Sequence, residues 1–233
     1  MKTMKRVWWI LSLTFIIIMA WIVWHMMILT PNPGIWTGNS VSWSLPIVTV
    51  STWSAWYYPL SSTTARAEYK KFGQYIDNKF YIGKEQIFPN KFIWYHVWSD
   101  FEIFSGESAV DVPVYAIGAW KIIFVWKVSG YGGLILERLG TWDLTALYGH
   151  IRLSSVSSSV GDFVAAWNQI AVLGSAFSPE AGWERKHLHL GIYKWADLYF
   201  KGYENTLAQL QQRWIDPLIF LQQHTAFDIS QKK

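Results

Sequence analysis

Four of the six histidines fall in three short phrases between positions 96 and 189, and those phrases are where the chain could do chemistry. In His187-Leu188-His189 the two imidazoles are separated by one apolar residue. Side chains on an extended chain repeat every second residue, so both rings point to one face and can share one metal or one substrate. His96-Val97-Trp98-Ser99-Asp100 sets an imidazole and a carboxylate four apart, which in extended chain again means one face; this pair suits a hard-to-borderline cation such as zinc. His150 closes the run Ala146-Leu147-Tyr148-Gly149 and adds a fifth titratable group at a strand end. Each phrase alone also has a plain structural explanation: a surface histidine pair, an accidental spacing, a hydrogen-bonded structural imidazole. The chain has no cysteine, which excludes disulfides, thiolate zinc sites and a cysteine nucleophile.

The elements that must position these groups are mostly strands. After Ile87 the chain becomes a series of short runs rich in Val, Ile, Tyr and Phe, separated by Gly, Asp, Asn and Ser. Segments 112–117, 121–128, 133–139, 145–150, 169–174 and 187–193 are predicted strands. Helix is expected only late: 205–214 has the leucine spacing of a short helix, and Asp216-Pro217 supplies a cap and a first-turn proline for 218–223. The predicted fold is mainly β, an antiparallel sheet core with a short C-terminal helical segment, and no internal repeat interrupts it.

The order of the phrases carries more than any one of them. His-x3-Asp is followed by Val-Pro-Val-Tyr-Ala, then Gly-Tyr-Gly-Gly, Leu-Tyr-Gly-His, Val-Gly-Asp-Phe-Val, Leu-Gly and finally His-Leu-His. Over about 110 residues this order resembles the lysostaphin-type zinc metallopeptidases, the peptidoglycan endopeptidases of the duplicated hybrid motif fold. The resemblance implies that His96, Asp100 and His189 bind Zn2+, that water takes the fourth position, and that His150 and His187 form the catalytic pair. It implies a hydrolase acting on peptide stems or cross-bridges of the bacterial cell wall. A catalytically inactive module of the same fold, regulating another wall hydrolase, is the alternative, and such members typically lose ligands. All five positions are filled here.

The rest of the chain sets the context. Residues 7–29 carry no charge apart from the neutral His25, and at 1.5 Å per residue they span the ~30 Å hydrocarbon core of a bilayer. Lys2, Lys5 and Arg6 precede this segment and no cation follows closely. A cytoplasmic tail at 1–6, a transmembrane helix at 7–29 and an extracytoplasmic remainder are therefore expected. Segment 30–66, rich in Ser, Thr, Pro and Gly, is expected as a stalk, and 67–233 as the peptidase domain with its core at about 90–200. The chain has 20 basic against 16 acidic residues. With the three N-terminal cations set aside the excess nearly vanishes, so no clustered basic field for nucleic acid remains.

The tryptophans are out of place. There are 17 of them against 16 glycines, and Trp120, Trp142, Trp167, Trp183 and Trp195 stand in turn-like contexts where glycine supplies φ > 0 without steric cost. Trp98, midway between two candidate ligands, should direct its indole at the metal face. A gene in which UGA encodes glycine, read with a table that assigns UGA to tryptophan, accounts for all six. A genuinely Trp-rich surface is the alternative.

Overall fold

Apolar runs in the second half of the chain pair into one large antiparallel sheet, seen in a computed structural model that describes residues 55–77, 94–140 and 143–231. The strands are β1 (Tyr75–Ile76), β2 (Trp94–His96), β3 (Ser99–Glu102), β4 (Pro113–Tyr115), β5 (Trp120–Val128), β6 (Gly132–Leu139), β7 (Thr145–Ile151), β8 (Phe163–Val164), β9 (Gln169–Val172), β10 (His187–Tyr193), β11 (Tyr203–Glu204) and β12 (Trp214–Ile215). The main sheet runs β12-β10-β7-β6-β5-β8, with β3 also on β10; β1-β2-β11 and β4-β9 form two smaller sheets. Two helices follow late, α1 (Leu207–Arg213) and α2 (Pro217–Gln223).

Strand β10 organises the fold. One edge pairs with β7, while the other is shared between β3, from His187 opposite Glu102 to Leu190 opposite Ser99, and β12. All seven of its residues are buried. Leu188, Leu190 and Ile192 join Phe101, Ile135 and Tyr148 in the larger core. Tyr193, on the alternate positions, packs with Val97, Trp98, Leu134, Leu136, Leu147 and Trp214 in a second one. Each fully buried Leu or Ile contributes about 1.5–3 kcal/mol, so both faces favour the same register.

The larger core contains one ionisable pair. The Tyr148 hydroxyl donates to Glu137 Oε2 at 2.5 Å and accepts from the Ile117 N–H at 2.9 Å. Burial pushes the Glu137 carboxyl up to about 8, so it is largely neutral at pH 7.

The six predicted strands are all present, 187–193 with the ends expected and the other five with shifted ends. The strands missing from the sequence reading, β1–β3, β8, β11 and β12, are two to four residues long, too short for a period to register. The first helix begins later than 205, because Thr206 Oγ1 accepts from the Gln209 N–H at 3.2 Å and caps it there. The Asp216 cap is as expected, its Oδ1 accepting from Leu218 and Ile219 at 3.0 and 3.1 Å.

The expected tail 1–6 and membrane segment 7–29 lie outside the described residues, and among those described no helix is long and apolar enough to cross a membrane. Most of the expected stalk also lies outside. Its last part, 55–66, is packed onto the domain rather than extended from it. There Leu60 and Thr63 are buried, Trp56 packs edge-on against Phe220 at 4.8 Å, and Tyr58 N–H donates to the Phe227 carbonyl. Aromatic content outweighs the Ser/Thr-rich composition in this stretch.

The six tryptophans divide. Trp167 and Trp183 sit at φ 67° and 66°, a region where bulky side chains are genuine outliers. Trp120 begins β5 in extended chain, and neither it nor Trp195 has positive φ, so the expectation of a glycine-only backbone fails at those two. Trp142 lies outside the described residues.

Candidate metal centre

The five predicted groups converge at one end of β10. His187 and His189 lie on the same side of the strand, as period 2 requires, with ring centroids 4.7 Å apart. Asp100 is the register partner of His189 across the β3–β10 pair, which brings its Oδ1 to 2.7 Å from His189 Nε2. His96 arrives from a different sheet. The phrase expected as one extended run bends at Val97 and Trp98 and is divided between β2 and β3, yet His96 Nε2 still ends 3.3 Å from Asp100 Oδ1.

His150 reaches the cluster by a local irregularity. Gly133 pairs with Ile151 and Leu134 with Gly149, so His150 is the extra residue of a bulge in the β6–β7 ladder. Its φ is 62°. A regular strand that sends Leu147 and Gly149 to the metal face would send His150 into the opposite core; the bulge re-aims it. Its ring lies 4.3 Å from those of both His187 and His189. The main-chain groups remain paired, N–H to the Tyr131 carbonyl and carbonyl to the Gly174 N–H.

The hydrogen bonds around the cluster stop short of its centre. His187 Nδ1 donates to the Arg185 carbonyl at 2.7 Å, which leaves Nε2 bare. His96 Nδ1 faces the Lys71 carbonyl at 3.4 Å, which likewise turns Nε2 inward. Asp100 Oδ1, His187 Nε2 and both ring nitrogens of His150 and His189 are buried without a hydrogen-bond partner. The 2.7 Å approach of Asp100 Oδ1 to His189 Nε2 lacks hydrogen-bonding angles, so proximity leaves both atoms unsatisfied. Buried polar atoms in that condition cost ~1–3 kcal/mol each, and a shared cation would remove the cost for one atom of each ligating side chain.

The protonation states agree. Burial lowers the His96 imidazole to about 4, and burial, with the neighbouring imidazoles, holds His150 and His187 well below the ordinary value. Burial alone would raise the Asp100 carboxyl; its position beside the rings of His189, His96 and His187 outweighs that and holds the group well below the carboxylate range. Imidazoles that burial keeps unprotonated at His96, His150 and His187, around an ionised carboxylate, make a donor set that suits zinc. Two overlapping trios have ligand atoms within 4.8 Å of one another: His96, Asp100 and His189, and His150, His187 and His189.

Arg185 is the residue the sequence reading missed. Its guanidinium donates to Asp100 Oδ2 at 3.0 Å, binds Glu102 through Nε at 2.9 and 3.0 Å, and lies over the Tyr69 ring at 4.5 Å. It takes up one carboxylate oxygen and leaves Oδ1 facing the imidazoles. Its place two residues before His187, on the same strand parity, was the available signal.

Access to the centre is narrower than an open groove. His96 and His189 are 5% and 8% exposed, and Asp100, His150 and His187 are fully buried. Trp98 does face the site, its indole 5.1 Å from the His189 ring.

No protein-family model and no curated protein matches the chain. Among solved structures, the catalytic domain of the antimicrobial peptidase lysostaphin from Staphylococcus simulans is 20% identical, with a TM-score of 0.47 over 70% of this chain and 98% of that one. LytU is 21% identical, with a TM-score of 0.45 over 68% and 86%. A zinc-containing peptidase from Vibrio cholerae is 20% identical, with a TM-score of 0.39 over 59% and 36%.

Proposed function

We propose that the chain is a zinc metalloendopeptidase, held in the cell membrane by 7–29 with its catalytic domain outside the cytoplasm, that hydrolyses peptide bonds in bacterial peptidoglycan. The observation that carries this is the meeting of His96, Asp100 and His189 with their ligand atoms within 4.8 Å of one another and unpartnered atoms buried at the centre. The wall substrate rests on the motif order and the cations before 7–29.

His96, Asp100 and His189 would hold the ion, as the resemblance implies; each is oriented from behind, His96 by the Lys71 carbonyl, Asp100 by Arg185 and His189 by its place between β7 and β3. Bound zinc would lower the pKa of a coordinated water towards ~7 and polarise the scissile carbonyl. His187, with Nδ1–H committed to the Arg185 carbonyl, presents a bare Nε2 that can accept a proton. His150, in ring contact with both His187 and His189, is placed to donate to an oxyanion or to return a proton to the leaving amine. The low basicity that burial imposes on both imidazoles keeps them unprotonated until a proton is offered.

One observation favours a second reading, a catalytically silent module that binds and regulates another wall hydrolase: the centre exposes almost nothing to solvent. The two readings separate on metal content and turnover. Purified protein is expected to carry one zinc per chain, to lose it to a chelator and to cleave wall peptides only when zinc is restored. A zinc content near zero after supplementation would leave the silent module standing.

A further inference from the structure

A cleft of about 260 Å³ adjoins the centre and is lined by His96 and His189 together with Trp94, Trp98, Tyr131 and Tyr203. Trp98 is its floor. The indole is wholly buried and stacks on Tyr131, with centroids 4.7 Å apart and planes at 19°. Behind it lie Gly149 and Gly191, where a Cβ would come within 2.8 and 3.1 Å of the indole. The slot exists only because both are glycine. Inside it the indole Nε1 has no hydrogen-bond partner, although buried Trp N–H groups usually find one. The ring fills space without being held by any polar contact, on the same side as groups that a substrate must approach.

We infer that the Trp98 indole is a plug at the reacting end of this cleft, and that side-chain size at position 98 decides whether a peptide backbone reaches the metal centre. The inference rests on the metallopeptidase reading. Glycine at 98 extends the cleft by the volume of an indole, alongside His189 and down to the main chain of Gly149. The backbones of Trp167 and Trp183, at φ 67° and 66°, place the same residue type at other glycine positions of this fold, away from any question of catalysis.

The test compares the full chain in detergent micelles with its Trp98→Gly and Trp98→Ala variants, each loaded with Co2+, using acetohydroxamate as the probe and the visible absorption of the bound Co2+ as the readout. Near-UV circular dichroism checks folding, and Trp98→Ala carries the comparison should the glycine variant not fold. All forms are expected to bind one Co2+ per chain. The spectrum should respond to acetohydroxamate with at least about tenfold higher affinity in the variants. An equal response in the unchanged protein overturns the plug while leaving the metal centre in place. Failure of every form to take up Co2+ overturns the metal reading and the plug with it.

Discussion

The two faces of β10 obey opposite rules. On one, Leu188, Leu190 and Ile192 pack into an apolar core whose ionisable pair, Glu137 and Tyr148, shares a hydrogen bond and leaves a single atom, Glu137 Oε1, without a partner. On the other, His187 and His189 lie among buried donors and acceptors with no partners, beside an indole whose N–H is also unpaired. Both faces are equally dry. Burial without satisfaction is destabilising, and a cluster of such atoms around one point is where something outside the chain can complete the set. One strand therefore holds packing on its even positions and at Tyr193, and unspent binding capacity at His187 and His189.

The largest effect is expected from His189→Ala. His189 belongs to both ligand trios, so metal analysis should find no bound zinc; full retention would break the contrast between the faces. Leu190→Ala, one residue away, should cost about 2–5 kcal/mol in denaturant unfolding while zinc stoichiometry in the folded fraction stays at one. Glu137 sharpens the core side through pH. Its folded carboxyl keeps a proton up to about 8, whereas the unfolded one loses it near ~4.3. The stability it contributes is therefore complete below the unfolded value and is lost as pH rises between the two, at about 1.4 kcal/mol per pH unit. Glu137→Gln should flatten that slope in unfolding titrations. Arg185→Met should leave zinc stoichiometry at saturation unchanged but weaken affinity by about 10- to 100-fold, as loss of a group that orients a ligand does; unchanged affinity would show that Asp100 needs no such support. The smallest effect is Trp167→Gly, expected to stabilise by about 1 kcal/mol through relief of a left-handed backbone.

The tryptophans now have a structural ranking. Positions 167 and 183 need glycine for their dihedral angles, position 98 has a space argument, and positions 120 and 195 have no structural reason. The gene should read UGA at 167 and 183, where the backbone calls for glycine. UGG at these two removes the recoding explanation, and UGG at 98 makes the plug a native feature.

Much of the centre was legible because its signals are local. A histidine two residues from another on a strand must share its face, and alternating apolar runs with turn residues between them are strands wherever they pair. Other features had no local signature. The bend that divides His96 from Asp100, and the short strands on either side of it, depend on partners β11 and β10, which lie far along the chain. The segment 55–66 looked like the end of a stalk because the whole of 30–66 is rich in Ser, Thr, Pro and Gly, while what docks it is a few aromatic and aliphatic side chains meeting residues near the C-terminus.

What the sequence by itself determined was the inventory of donors and the parity of His187 and His189, since both follow from covalent order and a two-residue period. Tertiary structure decided the rest. A bulge opposite Gly133 and Leu134 turned His150 from the core to the other histidines, the β3–β10 register set Asp100 beside His189, Arg185 claimed one carboxylate oxygen, and packing buried all five groups. Register and burial arise from pairings between distant segments, so no window of sequence contains them.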